Sequence, residues 1–220
     1  MGQALSRSIE TQADLQMTGL WGRGDDLDEI VANSDVLIDF SLPEANDEVV
    51  AAAVRNNTPL VCGVSGLSDT QVAALDSAAT SIAVVYDRNM SLGVAVLEQL
   101  VTRAVAALGD GFAAEIHETH HVHKLDSPSG TALKLGEAIV AVRGGKADDI
   151  HYEVERRGEV PGDHSVVLSS ATERVTLGHS VTTRQVFADG ALHAARWIAS
   201  QMPGRYSMQD VLAEKTSDSL

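Results

Sequence analysis

The run Val36-Leu37-Ile38-Asp39-Phe40-Ser41-Leu42-Pro43-Glu44 (VLIDFSLPE) reads as an apolar strand over 35–40, closed by Ser41-Leu42-Pro43 and followed by a helix over 44–56. The unit repeats downstream: a strand over 60–64, a helix over 69–79 behind a Ser68 cap, and a strand over 82–86. Upstream, the pattern predicts a helix over 3–14, a short strand over 15–21 and a helix over 27–32. Strands that are apolar on both faces and separated by helices of this length indicate an α/β fold with a doubly wound parallel sheet. Ligands in such sheets sit outside the carboxyl ends of the strands. The loops to inspect are therefore 40–42, 63–66 and 87–90.

From residue 93 the pattern changes. Val94, Leu97, Val101, Val105 and Leu108 recur at helical spacing, predicting a helix over 93–108. A strand over 112–116, a histidine-rich segment and a helix over 131–142 follow. Strand-like stretches at 150–156, 164–169, 174–177 and 179–183 are joined by turns such as Val160-Pro161-Gly162-Asp163 and Leu177-Gly178. This is the pattern of a second, α+β architecture on a mixed or antiparallel sheet. Helices return at 191–201 and 208–212, and 216–220 reads as a loose tail.

Composition bounds the function. The 220 residues are 44% hydrophobic, 21% charged and only 4% aromatic, so the core is built mainly from Ala, Val, Leu and Ile. With 31 acidic against 16 basic side chains the net charge is −15, which argues against nucleic-acid binding. The lone Cys62 excludes an internal disulfide and reads as a buried strand residue. No segment approaches the apolar length of a membrane span and no charged-then-apolar leader opens the sequence, so a cytoplasmic protein is expected.

Against this acidic background, His120, His121, His123 and Lys124 run into Asp126-Ser127-Pro128-Ser129-Gly130-Thr131. Ser-Gly-Thr falls at a helix start, where free N–H groups and the positive dipole end favour an anion. Imidazoles, an ammonium and an anion cradle together describe a site that binds a carboxylate-bearing substrate and moves a proton. Two other readings stay open. His117, His120, His121 and His123 could ligate a metal, although Lys124 would then set a positive charge beside the ion. Alternatively, the histidines line a solvent-facing strand, Ser-Pro-Ser-Gly is a turn and Thr131 a helix cap.

Glu118-Thr119-His120-His121-Val122-His123-Lys124-Leu125-Asp126-Ser127-Pro128-Ser129-Gly130-Thr131-Ala132 closely resembles the signature of the dihydrodipicolinate reductases, the 4-hydroxy-tetrahydrodipicolinate reductase family. Residues 36–44, Gly63-Val64-Ser65-Gly66, Asn89-Met90-Ser91-Leu92-Gly93-Val94, Gly162-Asp163-His164 and 184–197 resemble further segments of it in the same order. The resemblance implies reduction of a cyclic, unsaturated dicarboxylate by NADPH or NADH on the route to diaminopimelate and lysine, with no metal. It implies His120 as general acid/base and Lys124 as proton donor. His121, Ser129, Gly130 and Thr131 would hold a substrate carboxylate. The nicotinamide half would meet Gly63, Val64, Ser65, Asp87, Arg88, Asn89 and Met90. Ser65 stands where threonine is common, and Asp87 and Arg88 replace smaller residues.

The resemblance further implies a Rossmann-like dinucleotide domain from residues 1–91 plus 184–220. A substrate and oligomer domain would span 92–183, within a homotetramer. Three departures stand out. Met1-Gly2-Gln3 looks like the tail of a Gly-rich turn, so the first strand and most of the pyrophosphate loop are expected to be missing and the sequence incomplete. Arg23 occupies the place of an acidic ribose ligand, either to pair with a 2′-phosphate of NADPH or as a solvated loop charge. The link after the 131–142 helix is short. Rival functions are a catalytically silent dicarboxylate-binding homologue and a histidine-based metal hydrolase.

Overall fold

Leu60, Val61 and Cys62 are completely buried and form the second strand of a parallel sheet. The computed structural model describes residues 1–22, 24–146 and 149–213, which divide into two units. The first comprises Met1–Leu92 and the stretch from Gln185 onward; the second is Gly93–Arg184.

In the first unit, β1 (Leu37–Asp39), β2 (Leu60–Cys62), β3 (Ala83–Tyr86) and β8 (Gly204–Tyr206) lie in that order, all parallel, with Leu37 beside Leu60, Leu60 beside Val84 and Val84 beside Arg205. Helices α1 (Gly2–Glu10), α2 (Leu27–Ala32), α3 (Pro43–Arg55), α4 (Asp69–Ala78), α7 (Gln185–Ile198) and α8 (Met208–Ala213) surround it. Local chemistry starts them. Asp26 accepts from Glu29 N–H to cap α2, Pro43 takes the N-terminal position of α3, and Ser68 and Gln71 cap α4 reciprocally. Val31, Val49, Leu75, Leu60 and Val84 pack in one cluster, each apolar side chain of this size contributing roughly 1.5–3 kcal/mol. The small residues Ala188, Ala191 and Ala194 let α7 approach the sheet, and Trp197 meets Tyr206 edge-on at 5.0 Å.

The doubly wound sheet and its helices stand as expected, with three differences. Residues 15–21 form no strand: 16–20 are exposed and pair with no strand among the described residues, so β propensity has no ladder to act through. β1 is therefore the edge strand on that side, and a cavity of about 320 Å³ lies against it, walled by Leu5, Ile9, Met17, Trp21 and Ile38. β8 is a further strand, too short and polar to announce itself. The last long helix begins at Gln185 rather than 191.

The second unit carries the mixed sheet β5-β4-β6-β7, built from β4 (Ala113–His120), β5 (His151–Arg156), β6 (Asp163–Ser169) and β7 (Arg174–Ser180). β4 pairs parallel with β5 and antiparallel with β6, which pairs antiparallel with β7. The parallel pair needs a crossover, and α6 (Gly130–Arg143) supplies it. Leu97, Val101 and Val105 of α5 (Leu92–Leu108) pack with Ile116, Leu135, Ile139, Val166 and Leu168, and Lys134 reaches Glu98 across 2.9 Å. The segment Leu92–Gly111 does have the length and apolar composition of a membrane span, against the expectation; its buried residues serve as a core face. The first strand runs on to His120 rather than stopping at 116, and Gly178 lies inside a single strand, paired with Ser165.

Gly190 permits the closest approach in the first unit, because a Cβ there would run into the Met90 carbonyl oxygen. Backbone cannot yield as a flexible side chain can. Gly190→Ala is expected to destabilise the protein by about 2–3 kcal/mol, read as a lowered midpoint of chemical unfolding.

Candidate active site

Strand alternation places the key residues. On β4, Ile116, Glu118 and His120 are buried, while Glu115, His117 and Thr119 between them are less so. The Glu118 side chain is 0% exposed. One oxygen, Oε1, accepts from the Ser129 backbone N–H at 3.0 Å and from Arg156 Nη2 at 3.2 Å. The other, Oε2, lies 3.1 Å from His120 Nδ1, at ion-pair distance although off the hydrogen-bond axis, and neither atom has another hydrogen-bond partner. His164 enters from β6, where it pairs with Glu118 in register. Its ring meets that of His120 edge-on with centroids 5.0 Å apart, and its Nε2 lies 3.1 Å from Ser129 Oγ.

Burial alone would raise the Glu118 carboxyl, but the adjacent His120 imidazole and the bond from Ser129 outweigh it and hold the group down at about 2. Burial pushes His164 down to about 3, reinforced by the charge of His120, so it is a neutral imidazole at pH 7. The ring of His120 is sealed at Nδ1. At its other nitrogen stands Gly162, φ +151°, where a Cβ would come within 3.0 Å of Nε2. Glycine therefore leaves room at the nitrogen that can reach a ligand.

The first turn of α6 presents the amides that the sequence marks as an anion cradle. Ser129 caps it, its Oγ accepting from Ala132 N–H at 3.2 Å, and Gly130 and Thr131 supply the first helical amides. The Ser129 side chain is thus engaged by the cap and by His164. Lys124 Nζ lies 2.8 Å from Asp126 Oδ1 and is 22% exposed. Burial pushes Asp126 up, yet the bond and charge from Lys124 hold its carboxyl below the usual range. Burial and the nearby Arg184 guanidinium depress His121.

The four histidines of the metal reading do not converge. His117 faces Glu115 and Glu153 on the other side of β4, and His123 lies beside Glu159 at the surface. Among the described residues, Glu118, His120 and His164 bring ligand atoms within 4.8 Å of one another. The Arg156 guanidinium already lies against one oxygen of Glu118, a positive charge that disfavours a metal cation at this trio. Glu118, Arg156 and His164 carried no role in the sequence reading. The spacing of Glu118 and His120 by two in a strand was the available signal; the others required the sheet register.

In the first unit, Gly63, Val64 and Ser65 follow β2, and Asp87, Arg88, Asn89 and Met90 follow β3, at neighbouring carboxyl ends of the parallel sheet. This is where such folds take dinucleotides, and Gly66, φ +76°, turns the first loop into open space. These loops suit a nicotinamide cofactor through their backbone groups. Asp87 turns inward, accepting from Asn89 N–H at 3.2 Å and from Met208 N–H at 3.3 Å, so its side chain braces the loop. Arg23 lies outside the described residues.

The depressed His164 makes an acid-stability prediction. Unfolded, it takes up a proton near 6.5; folded, it resists until about 3, so acid favours unfolding throughout that window. The loss by pH 5 is roughly 2 kcal/mol, and Glu118 adds to it only at lower pH. Denaturant titrations should show stability falling from pH 7 to pH 5, with a shallower slope for His164→Gln.

Residues 1–90 match the family description "Dihydrodipicolinate reductase, N-terminus" and residues 93–212 match "Dihydrodipicolinate reductase, C-terminus". The chain is 44% identical over 206 residues to the 4-hydroxy-tetrahydrodipicolinate reductase of Alkalilimnicola ehrlichii, covering 86% of this chain and 77% of that protein. It is 39% identical over 241 residues to that of Caulobacter vibrioides, covering 98% and 94%. Among solved structures, the dipicolinate-bound dihydrodipicolinate reductase from Paenisporosarcina sp. TG-14 shares the fold, with a TM-score of 0.77 at 20% identity over 96% of this chain and 95% of that one. The chain belongs to the dihydrodipicolinate reductase family of NAD(P)H-dependent oxidoreductases.

Proposed function

We propose that this protein reduces 4-hydroxy-tetrahydrodipicolinate to tetrahydrodipicolinate with NADPH or NADH, in the cytoplasmic route to diaminopimelate and lysine. The observation that carries the reading is the sealed pairing of His120 with Glu118 next to the α6 amides, which joins proton transfer to anion binding. The family relatives bear the same activity in their names, and the Paenisporosarcina reductase structure is dipicolinate-bound, with a planar dicarboxylate.

In this reading the 1–91 and 184–220 segments form the cofactor domain and 92–183 the substrate and oligomer domain, within a homotetramer. Gly63, Val64, Ser65 and the 87–90 loop hold the nicotinamide half, which supplies hydride when bound. Gly130 and Thr131 present amides to one substrate carboxylate, and Ser129 orders that turn by its cap. His121, beside Arg184, adds a further donor. His120 exchanges a proton at Nε2, and Lys124, once it leaves Asp126, donates the proton that completes reduction. A silent binding protein would have no need of a buried imidazole set against a carboxylate at the cradle.

Consumption of NADPH with freshly generated hydroxy-tetrahydrodipicolinate tests the reading. His120→Ala and Lys124→Ala are each expected to lower turnover by about 100-fold or more, and near-normal turnover in either removes that residue from its role. Arg23→Ala is expected to weaken NADPH use relative to NADH; equal use of both before and after the change would assign Arg23 to the solvent.

A further inference from the structure

Glu118 touches both halves of the site through one carboxylate. Oε1 takes the Ser129 N–H, the residue that caps the carboxylate-binding turn, and Oε2 faces Nδ1 of His120. We propose that Glu118 is a positioning residue that sets the spacing between the carboxylate cradle and the proton-transfer imidazole, and that keeps the His120 proton on Nδ1. Nε2 is then the free lone pair that acts at the substrate ring. The inference deepens the reductase reading and rests on it for its kinetic arm alone.

The charged and polar groups around the carboxylate fix its orientation. Arg156 on β5 donates to Oε1 and, through the same Nη2, to the Asp126 carbonyl at 2.6 Å. The Ser129 amide at the start of α6 donates to Oε1 as well. On the other side Oε2 faces, among the described residues, the imidazole nitrogens His120 Nδ1 at 3.1 Å and His164 Nε2 at 3.8 Å. His164 Nε2 already has Ser129 Oγ as its neighbour. An orienting carboxylate behind a proton-transferring histidine is a general means of choosing its tautomer.

Glu118→Gln has a defined consequence. Two donors, Ser129 N–H and Arg156, face one end of the side chain, so the amide oxygen must take that end. The amide NH₂ then faces His120, whose Nδ1 becomes an acceptor, and the proton moves to Nε2. The cradle keeps its anchor while the imidazole acquires the wrong tautomer. A role confined to structure would disturb cradle and imidazole alike.

The test uses the full chain, uniformly ¹⁵N-labelled. Long-range ¹H–¹⁵N correlation of the imidazoles, with His120→Asn to assign the signal, should show the His120 proton on Nδ1 in the parent protein and on Nε2 in Glu118→Gln. In steady state Glu118→Gln should lose about 100-fold in kcat, while affinity for pyridine-2,6-dicarboxylate changes by less than about threefold. An unchanged tautomer, an unchanged kcat, or a loss of dicarboxylate affinity as large as the loss of kcat each overturns the proposal. Should Glu118→Gln fail to fold, Arg156→Gln loosens the same carboxylate from one anchor; about a tenfold loss of kcat with a mixed tautomer supports the proposal, and parent-like behaviour in both overturns it. If the parent chain reduces nothing, the reductase reading falls while the tautomer comparison still decides the role of Glu118.

Discussion

A completely buried carboxylate is costly, by several kcal/mol even after relaxation, and it persists only if its charge is compensated. Glu118 draws that compensation from three elements: the capping amide of α6 and the guanidinium of Arg156 on β5, which donate to Oε1, and the imidazole of His120 on its own strand, which lies 3.1 Å from Oε2. Each partner is held by a separate piece of the fold. The crossover helix must begin at Ser129, β5 must lie parallel to β4, and the strand must keep its alternation through His120. Displacing any of these would leave a charge unpaired in the core. The mixed sheet of the second unit is therefore tied to the chemistry it carries.

The same electrostatics fix the charge of two groups in the site around neutrality. Glu118 stays ionised down to about 2 and His164 stays neutral down to about 3. An anion and a neutral ring therefore flank His120. At its Nε2 stands Gly162, where a Cβ would come within 3.0 Å.

Much of this was legible in the sequence, for physical reasons. Strands buried on both faces, such as Leu60-Val61-Cys62, carry an apolar run that local reading finds, and the Ser68 cap and the Ser-Gly-Thr run at 129–131 mark helix starts within a residue, the second cap being Ser129 rather than Thr131. The free amides of Gly130 and Thr131 followed from their place at a helix start. The errors arose where pairing overrides propensity. Residues 15–21 have strand composition but no partner, Gly178 sits mid-strand because Ser165 pairs with it, and β8 exists because β3 offers an edge. Arg156 and His164 were illegible for the same reason, since only register brings residues 38 and 46 positions away from Glu118 against one carboxylate.

This contrast separates two kinds of site information. A helix N-terminus is local, and its anion preference is written in three consecutive residues. An acid/base group is local only in its identity: what it does depends on the partner that selects its tautomer, and that partner is chosen by the sheet. His120 and Glu118 are an intermediate case, two residues apart on one strand face, so their partnership could be read once the strand was known to continue past Ile116. Placing the strand end at 116 hid it. The length of β4 is thus the structural fact on which the functional argument turns, because four more residues of alternation deliver both Glu118 and His120 to the covered face.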